Sequence, residues 1–239
     1  LKQGAFEDHV RAIYMPFFLK SQYLVQPVLP ISICPQILTF EAKSKDMLGL
    51  KLPTDPRWVD LVENNIDEIL TDHAWCEQKA ASNAISIVVS FPENSDMVTG
   101  LLSIASEELS HFNMVHEQIL KRGRVLGKER KDPYVNELYA YMKKGEGRLI
   151  ALIDRLLFAA LIEARSCERF RVLSENIKDT DLAAFYRDLM VSEAGHYTVF
   201  IGFARQYAGT IDVDKRWKEW LEFEGKIIAN YGKKETIHG

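Results

Sequence analysis

The chain has 239 residues, 47% of them apolar and 27% charged, with a formal net charge of −4. That length fills one domain core, or one domain with an appendage, and the composition is globular, neither disordered nor fibrous. The negative balance excludes a global field that would draw in nucleic acid, so such a partner would have to be met by a local patch. No run of about 18 apolar residues marks a membrane helix.

Residues 1–46 differ in texture from the rest, with Pro16, Pro27, Pro30 and Pro35 and an apolar stretch, VQPVLPISICPQ, that lacks helical spacing. They read as an extension upstream of a domain spanning 47–239. Either they lie outside the native protein, with Met47 as its natural first residue, or FEDHVRAIYMPFFL is an amphipathic arm for a partner. Cys34, Cys76 and Cys167 are far apart and form no C-x-x-C. A sparse, odd count with no signal peptide fits a reducing compartment, and the expected location is cytoplasmic.

From Asp55 onward the signals are helical. Asp55-Pro56 predicts an N-cap and first helical position, and Ile66, Leu70, Ala74, Ala81, Ala84 and Val88 recur at helical intervals until Phe91-Pro92. Ser95 or Asp96 is expected to cap a second helix ending at Gly123. Asp132-Pro133 opens a short helix reaching toward Gly145, a third long helix covers 147–175, and Asp179 or Thr180 caps a fourth to about Ala208. DKRWKEWLEFEGKIIANYG reads as one more amphipathic helix. The first two long helices are tightly joined, as are the last two, with more than twenty residues between the pairs. The expected fold is therefore all-α: a ferritin-like four-helix bundle with one long crossover and additional short helices.

Three Glu-x-x-His pairs occur: Glu108/His111, Glu193/His196 and Glu235/His238. The last sits in the polar tail and reads as a coincidence. The other two fall on the inward stripe of their helices, where residues three apart share a face about 5–6 Å apart. Glu77 lies 31 residues before Glu108, and Glu163 lies 30 before Glu193, each among core-facing neighbours. The chain thus reads as two copies of a helix pair, one Glu followed by Glu-x-x-His, which is the ligand pattern of di-iron carboxylate bundles. Four carboxylates and two imidazoles suit two divalent ions, iron or manganese first; the bland alternative is surface charge whose spacing matches by accident. Glu168 is a nearby rival to Glu163, but beside Arg165 and Arg171 it reads as a solvated ion pair. His73, one turn before Glu77, could orient it or face solvent, and His116 reads as surface. Cys76, Cys167, Tyr186 and Tyr197 adjoin the motifs and read as packing.

LTDHAWCEQKAASNA, ASEELSHFNMVHEQILKRGR, LIEARSCERFRVL and FYRDLMVSEAGHYTVF together resemble the MiaE family of bacterial tRNA 2-methylthio-N6-isopentenyladenosine hydroxylases, from about Met47 to Ala208. The resemblance implies a non-haem di-iron monooxygenase with two iron ions and O2 as co-substrate. It would hydroxylate the isopentenyl group of the adenosine beside the anticodon of tRNA. The implied ligands are Glu77, Glu108, His111, Glu163, Glu193 and His196, the six that spacing selects. No flavin or nicotinamide motif is present, so the electron donor is expected to be external. An RNA footprint is suggested by Lys121, Arg122, Arg124, Lys128, Arg130 and Lys131, with Tyr134, Tyr139 and Tyr141 following; an ordinary solvated helix end is the alternative. A ferritin-like ferroxidase or iron-handling protein, and a non-catalytic interaction bundle, are the rival functions. The absence of cysteine knuckles disfavours a rubrerythrin-like peroxidase.

Overall fold

The structure, a computed structural model, describes residues 48–229 and Ile237. The extension at 1–46 and the Glu235/His238 pair lie outside the described residues. Helices account for the architecture: α1 (Trp58–Asn64), α2 (Ile66–Ser90), α3 (Ser95–Lys121), α4 (Pro133–Tyr141), α5 (Arg148–Asn176), α6 (Thr180–Gln206) and α7 (Val213–Ile228). No strand occurs among the described residues. The four long helices form two hairpins, α2–α3 and α5–α6, with α2 beside α5 and α3 beside α6. The single long crossover, carrying α4, joins α3 to α5, so the ferritin-like bundle expected from the connection lengths is the fold observed.

Local chemistry explains most of the boundaries. Asp132 accepts from the Val135 amide at 3.1 Å with Pro133 behind it, and Asp179 accepts from the amides of Asp181 and Leu182. Gly123, at φ +68, ends α3 in the left-handed conformation that glycine adopts without strain. Four boundaries depart from the sequence reading. The first helix begins at Trp58 with Arg57 at the N-cap position, not at Asp55-Pro56; Asp55 accepts from the Arg57 amide at 3.0 Å, two residues too early to cap it. The first long helix is broken at Asn65 (φ −137, ψ 37), because Asn64 and Asn65 turn their amides back onto the carbonyls of Asp60 and Leu61 and compete with the helical pattern. Asn94, not Ser95 or Asp96, holds the N-cap position of α3, and no side chain caps it. The short crossover helix stops at Tyr141 rather than near Gly145.

Packing divides the bundle along its length. One apolar cluster gathers Ala84 and Ile87 of α2, Leu101 and Ile104 of α3, Leu156 and Leu157 of α5 and Phe200 of α6. A second gathers Leu70 and Ala74, Val115 and Ile119, Phe170 and Leu173, and Leu182 and Leu189 from the same four helices. Each fully buried aliphatic or aromatic side chain contributes about 1.5–3 kcal/mol relative to exposure. Between the clusters, at mid-height on all four helices, lies a layer of buried carboxylates and imidazoles.

Candidate metal centre

Glu77 (α2), Glu108 and His111 (α3), Glu163 (α5), and Glu193 and His196 (α6) converge in this layer, each no more than 5% exposed. Two groups of four form, and within each the donor atoms all lie within 4.8 Å of one another: Glu77, Glu108, His111 and Glu193; and Glu108, Glu163, Glu193 and His196. Glu108 and Glu193 belong to both, so the arrangement is two adjoining four-donor sets with two shared carboxylates. Both imidazoles turn Nδ1 inward. His111 Nδ1 lies 3.5 Å from Glu108, 3.6 Å from Glu193 and 3.7 Å from Glu77. His196 Nδ1 lies 2.8 Å from Glu108 Oε1 and 3.8 Å from Glu193.

The donors fit a metal better than they fit each other. Both carboxylate oxygens of Glu108, Glu193 Oε1, His111 Nδ1 and both ring nitrogens of His196 lack a well-aligned hydrogen bond, although His196 lies close to Glu108 through Nδ1 and to Glu107 through Nε2. Buried polar atoms are otherwise almost always satisfied. Among the described residues no lysine or arginine pairs with the four carboxylates. Burial, and then the neighbouring carboxylate charges, push Glu77 and Glu163 well above the usual range. Burial also opposes ionisation of Glu108, but contacts with His111 and His196 outweigh it and pull that group down. His196 is raised against its burial by Glu107, Glu108 and Glu193. Protons are thus retained where two divalent cations would replace them.

Residues around the layer hold its donors. His73, fully buried, is hydrogen-bonded through Nε2 to Glu77 Oε1 at 2.6 Å and stacks on Tyr186, so of its sequence readings the one that orients Glu77 is the one observed. Glu107 lies behind both imidazoles, Oε2 at 3.2 Å from His196 Nε2 and Oε1 at 4.0 Å from His111 Nε2. The Ser192 hydroxyl donates to it at 2.6 Å, and with His196 beside it the carboxyl is held down at about 2 against its partial burial. Sequence reasoning missed Glu107, whose one signal is its place directly before Glu108. The Cys167 thiol donates to the Met190 carbonyl at 3.5 Å and is pushed by burial to about 12, in keeping with packing. Glu168 departs from the solvated pair expected of it: it is buried, accepting from Arg165 at 3.1 Å and from the amide and hydroxyl of Thr54.

A largely apolar cavity of about 60 Å³ opens beside Glu163; Ala80, Val135, Phe158, Ile162 and Phe200 line it, together with the polar Lys79, Asn83 and Asp132. On the same side, Ile237 is fully buried near Phe170, its amide donating to Asp72 at 2.8 Å.

The basic crossover is largely engaged in holding itself to α2. Arg124 pairs with Asp67 at 2.7 Å, Arg130 with Glu68 at 3.3 Å, and Arg122 with Asp179 at 2.9 Å. Trp75 donates to the Gly127 carbonyl at 2.9 Å, and a Cβ on Gly127 would meet Thr71 at 2.9 Å, so only glycine permits this approach. Lys121, Lys128 and Lys131 are exposed without an acidic partner among the described residues. Of the three aromatics expected beside this patch, Tyr134 is buried against Glu224 and Tyr141 stacks on Phe223, leaving Tyr139 exposed.

Fold and layer together define a ferritin-like bundle with a buried carboxylate–histidine centre suited to a pair of metal ions. Known proteins agree. The sequence profile described as tRNA-(MS2IO6A)-hydroxylase (MiaE) matches residues 42–239, and the chain belongs to this family. The match is longer at both ends than the resemblance read from Met47 to Ala208. A tRNA 2-(methylsulfanyl)-N(6)-isopentenyladenosine(37) hydroxylase of Pseudomonas putida is 32% identical over 77% of this chain and 83% of its own. The hydroxylase of the same name from Salmonella typhimurium is 27% identical over 85% of this chain and 90% of its own. A solved Synechococcus structure, titled as having aldehyde deformylating oxygenase activity, superposes with a TM-score of 0.73 at 31% identity, over 80% of this chain and 95% of that one. No helix among the described residues is long and apolar enough to cross a membrane.

Proposed function

We propose that this chain hydroxylates the isopentenyl group of 2-(methylsulfanyl)-N6-isopentenyladenosine beside the anticodon of tRNA; two of its relatives are named as hydroxylases of that tRNA nucleoside. The observation that carries the reading is a two-ion donor set with shared carboxylates bordering an apolar cavity. Glu77 and His111 would hold one iron, Glu163 and His196 the other, with Glu108 and Glu193 between them. Iron in this setting supplies activation of O2, with electrons from an external donor. The chain's own residues do the rest. Phe158, Ile162 and Phe200 exclude water and receive a branched hydrocarbon, Glu163 borders that cavity, and His73 and Glu107 fix the donors from outside. With tRNA as substrate, the cytoplasm is the place of action.

The test is mass analysis of tRNA nucleosides from a host that makes the isopentenylated adenosine but cannot hydroxylate it. Expression of this chain is expected to yield a nucleoside heavier by one oxygen, and Glu163→Ala to abolish it. Iron-loaded protein giving no such product would remove the reading and leave iron oxidation, or the aldehyde deformylation for which the Synechococcus neighbour is titled, as its successors.

A further inference from the structure

The seam between α2 and α5 continues past the metal layer. Ala80 and Asn83 of α2 line one stretch of it with Ala159 and Glu163 of α5; further along the same two helices Arg155 donates to Ser86 at 2.8 Å. The first stretch is the apolar cavity. One turn further lies a cleft of about 240 Å³ whose lining includes Ser86, Tyr139, Lys143, Lys144, Asp154 and Arg155.

Its chemistry is that of a site for an anion beside a flat ring. Arg155 donates to the hydroxyls of Ser90 at 2.7 Å and Ser86 at 2.8 Å, and no carboxylate pairs with it among the described residues. Two serines thus fix the guanidinium without neutralising it. Lys144 is exposed and has no acidic partner there either, while Lys143 lies 3.2 Å from Glu146. The lining acid, Asp154, is fully buried and closed off by Arg216, Trp220 and the Lys143 amide. Tyr139 is 59% exposed, its ring set edge-on to Phe158 at 6.0 Å. Because Phe158 lines the apolar cavity, Tyr139 marks the boundary between the two spaces. From Glu163 to Arg155 is eight residues, about 12 Å along the helix axis, which leaves room for a short hydrocarbon and then a base before the cations are reached.

We propose that this cleft is the nucleotide subsite of the enzyme: Arg155 and Lys144 take the tRNA backbone phosphate next to the modified adenosine, and Tyr139 stacks on an unpaired loop base. The assignment rests on the tRNA hydroxylase reading and adds to it where the substrate is gripped. It also shifts the footprint from the start of the crossover, whose arginines are paired with Asp67, Glu68 and Asp179, to its end, where Tyr139 and Lys144 lie.

The experiment measures binding and hydroxylation of tRNA carrying the isopentenylated adenosine, over a range of salt, with the full chain and the variants Lys144→Glu, Arg155→Gln and Tyr139→Ala. Loss of a phosphate contact is expected to weaken binding and to reduce the slope of log K against log salt by about 1 in Lys144→Glu and in Arg155→Gln. Tyr139→Ala is expected to weaken binding about fivefold or more with the slope unchanged. Iron per chain and melting temperature should be unaltered in Lys144→Glu and Tyr139→Ala, since both side chains are exposed. Wild-type affinity and slope in those two variants would overturn the subsite, above all if Lys128→Glu with Lys131→Glu carried the loss instead. A wild-type chain that does not hydroxylate tRNA at all would overturn the functional reading itself; an active wild type with indifferent variants overturns this cleft alone.

Discussion

Glu107 reaches His196 Nε2 and lies at the edge of reach of His111 Nε2, so one carboxylate sits behind both imidazoles. An imidazole that offers Nδ1 to a metal must carry its proton on Nε2, and an acceptor there fixes both tautomer and ring angle. Glu107→Ala is therefore expected to weaken metal binding about 10- to 100-fold, read by competition with a chelator, with the helical fold intact. The six inward residues were legible because two periodicities coincide: Glu-x-x-His keeps both side chains on one face, and the repeat from helix pair to helix pair places Glu77 and Glu163 opposite. Glu107 was not legible in that way. It sits one residue from Glu108, hence about 100° round the helix, and reads as solvated charge until the Nε2 atoms of two different helices are seen to face it.

Among the elements, α5 is enclosed by α1, α2, α4, α6 and α7, and several of its buried charged side chains find partners on other segments. Asp154 is held by Arg216 of α7 at 2.7 and 2.8 Å, and Arg165 by Glu224 of α7 at 2.5 and 2.9 Å and by the Leu52 carbonyl. Arg169 lies over the Trp58 ring of α1 at 4.2 Å. Removing one member strands a buried charge, which costs about 3–5 kcal/mol. Asp154→Ala should lower the stability measured by urea unfolding by that amount and loosen α7, whereas Arg205→Ala, in an exposed pair with Asp214, should change it by less than about 1 kcal/mol. The helices themselves were readable from caps and apolar spacing. Their docking was not: Asp154 and Arg216 are 62 residues apart, and nothing local to either announces the other. The Asn64-Asn65 break was overridden for a different reason, since the apolar period runs on across it and masks the amides that interrupt the helix.

For the molecule as a whole, the buried layer ties stability to pH and to metal. Glu77 and Glu163 have raised carboxyl groups and His111 and His196 raised imidazoles. In each case the folded chain binds more protons than the unfolded one, so the stabilisation is complete below the unfolded value and is lost as pH rises through the folded one. Glu107 and Glu108 are depressed, and their contribution is lost only in acid. Metal-free protein is thus expected to melt at lower temperature at pH 8 than at pH 5.5, and adding ferrous iron anaerobically should release protons and raise the melting temperature. The two donor sets draw three residues from one hairpin and one from the other: Glu77, Glu108 and His111 with Glu193, and Glu163, Glu193 and His196 with Glu108. Each ion would therefore be a stitch across the midline between the hairpins. A chain severed within the crossover, after Gly123, would be two half-molecules with incomplete sets, and metal would be the ingredient that makes them rejoin.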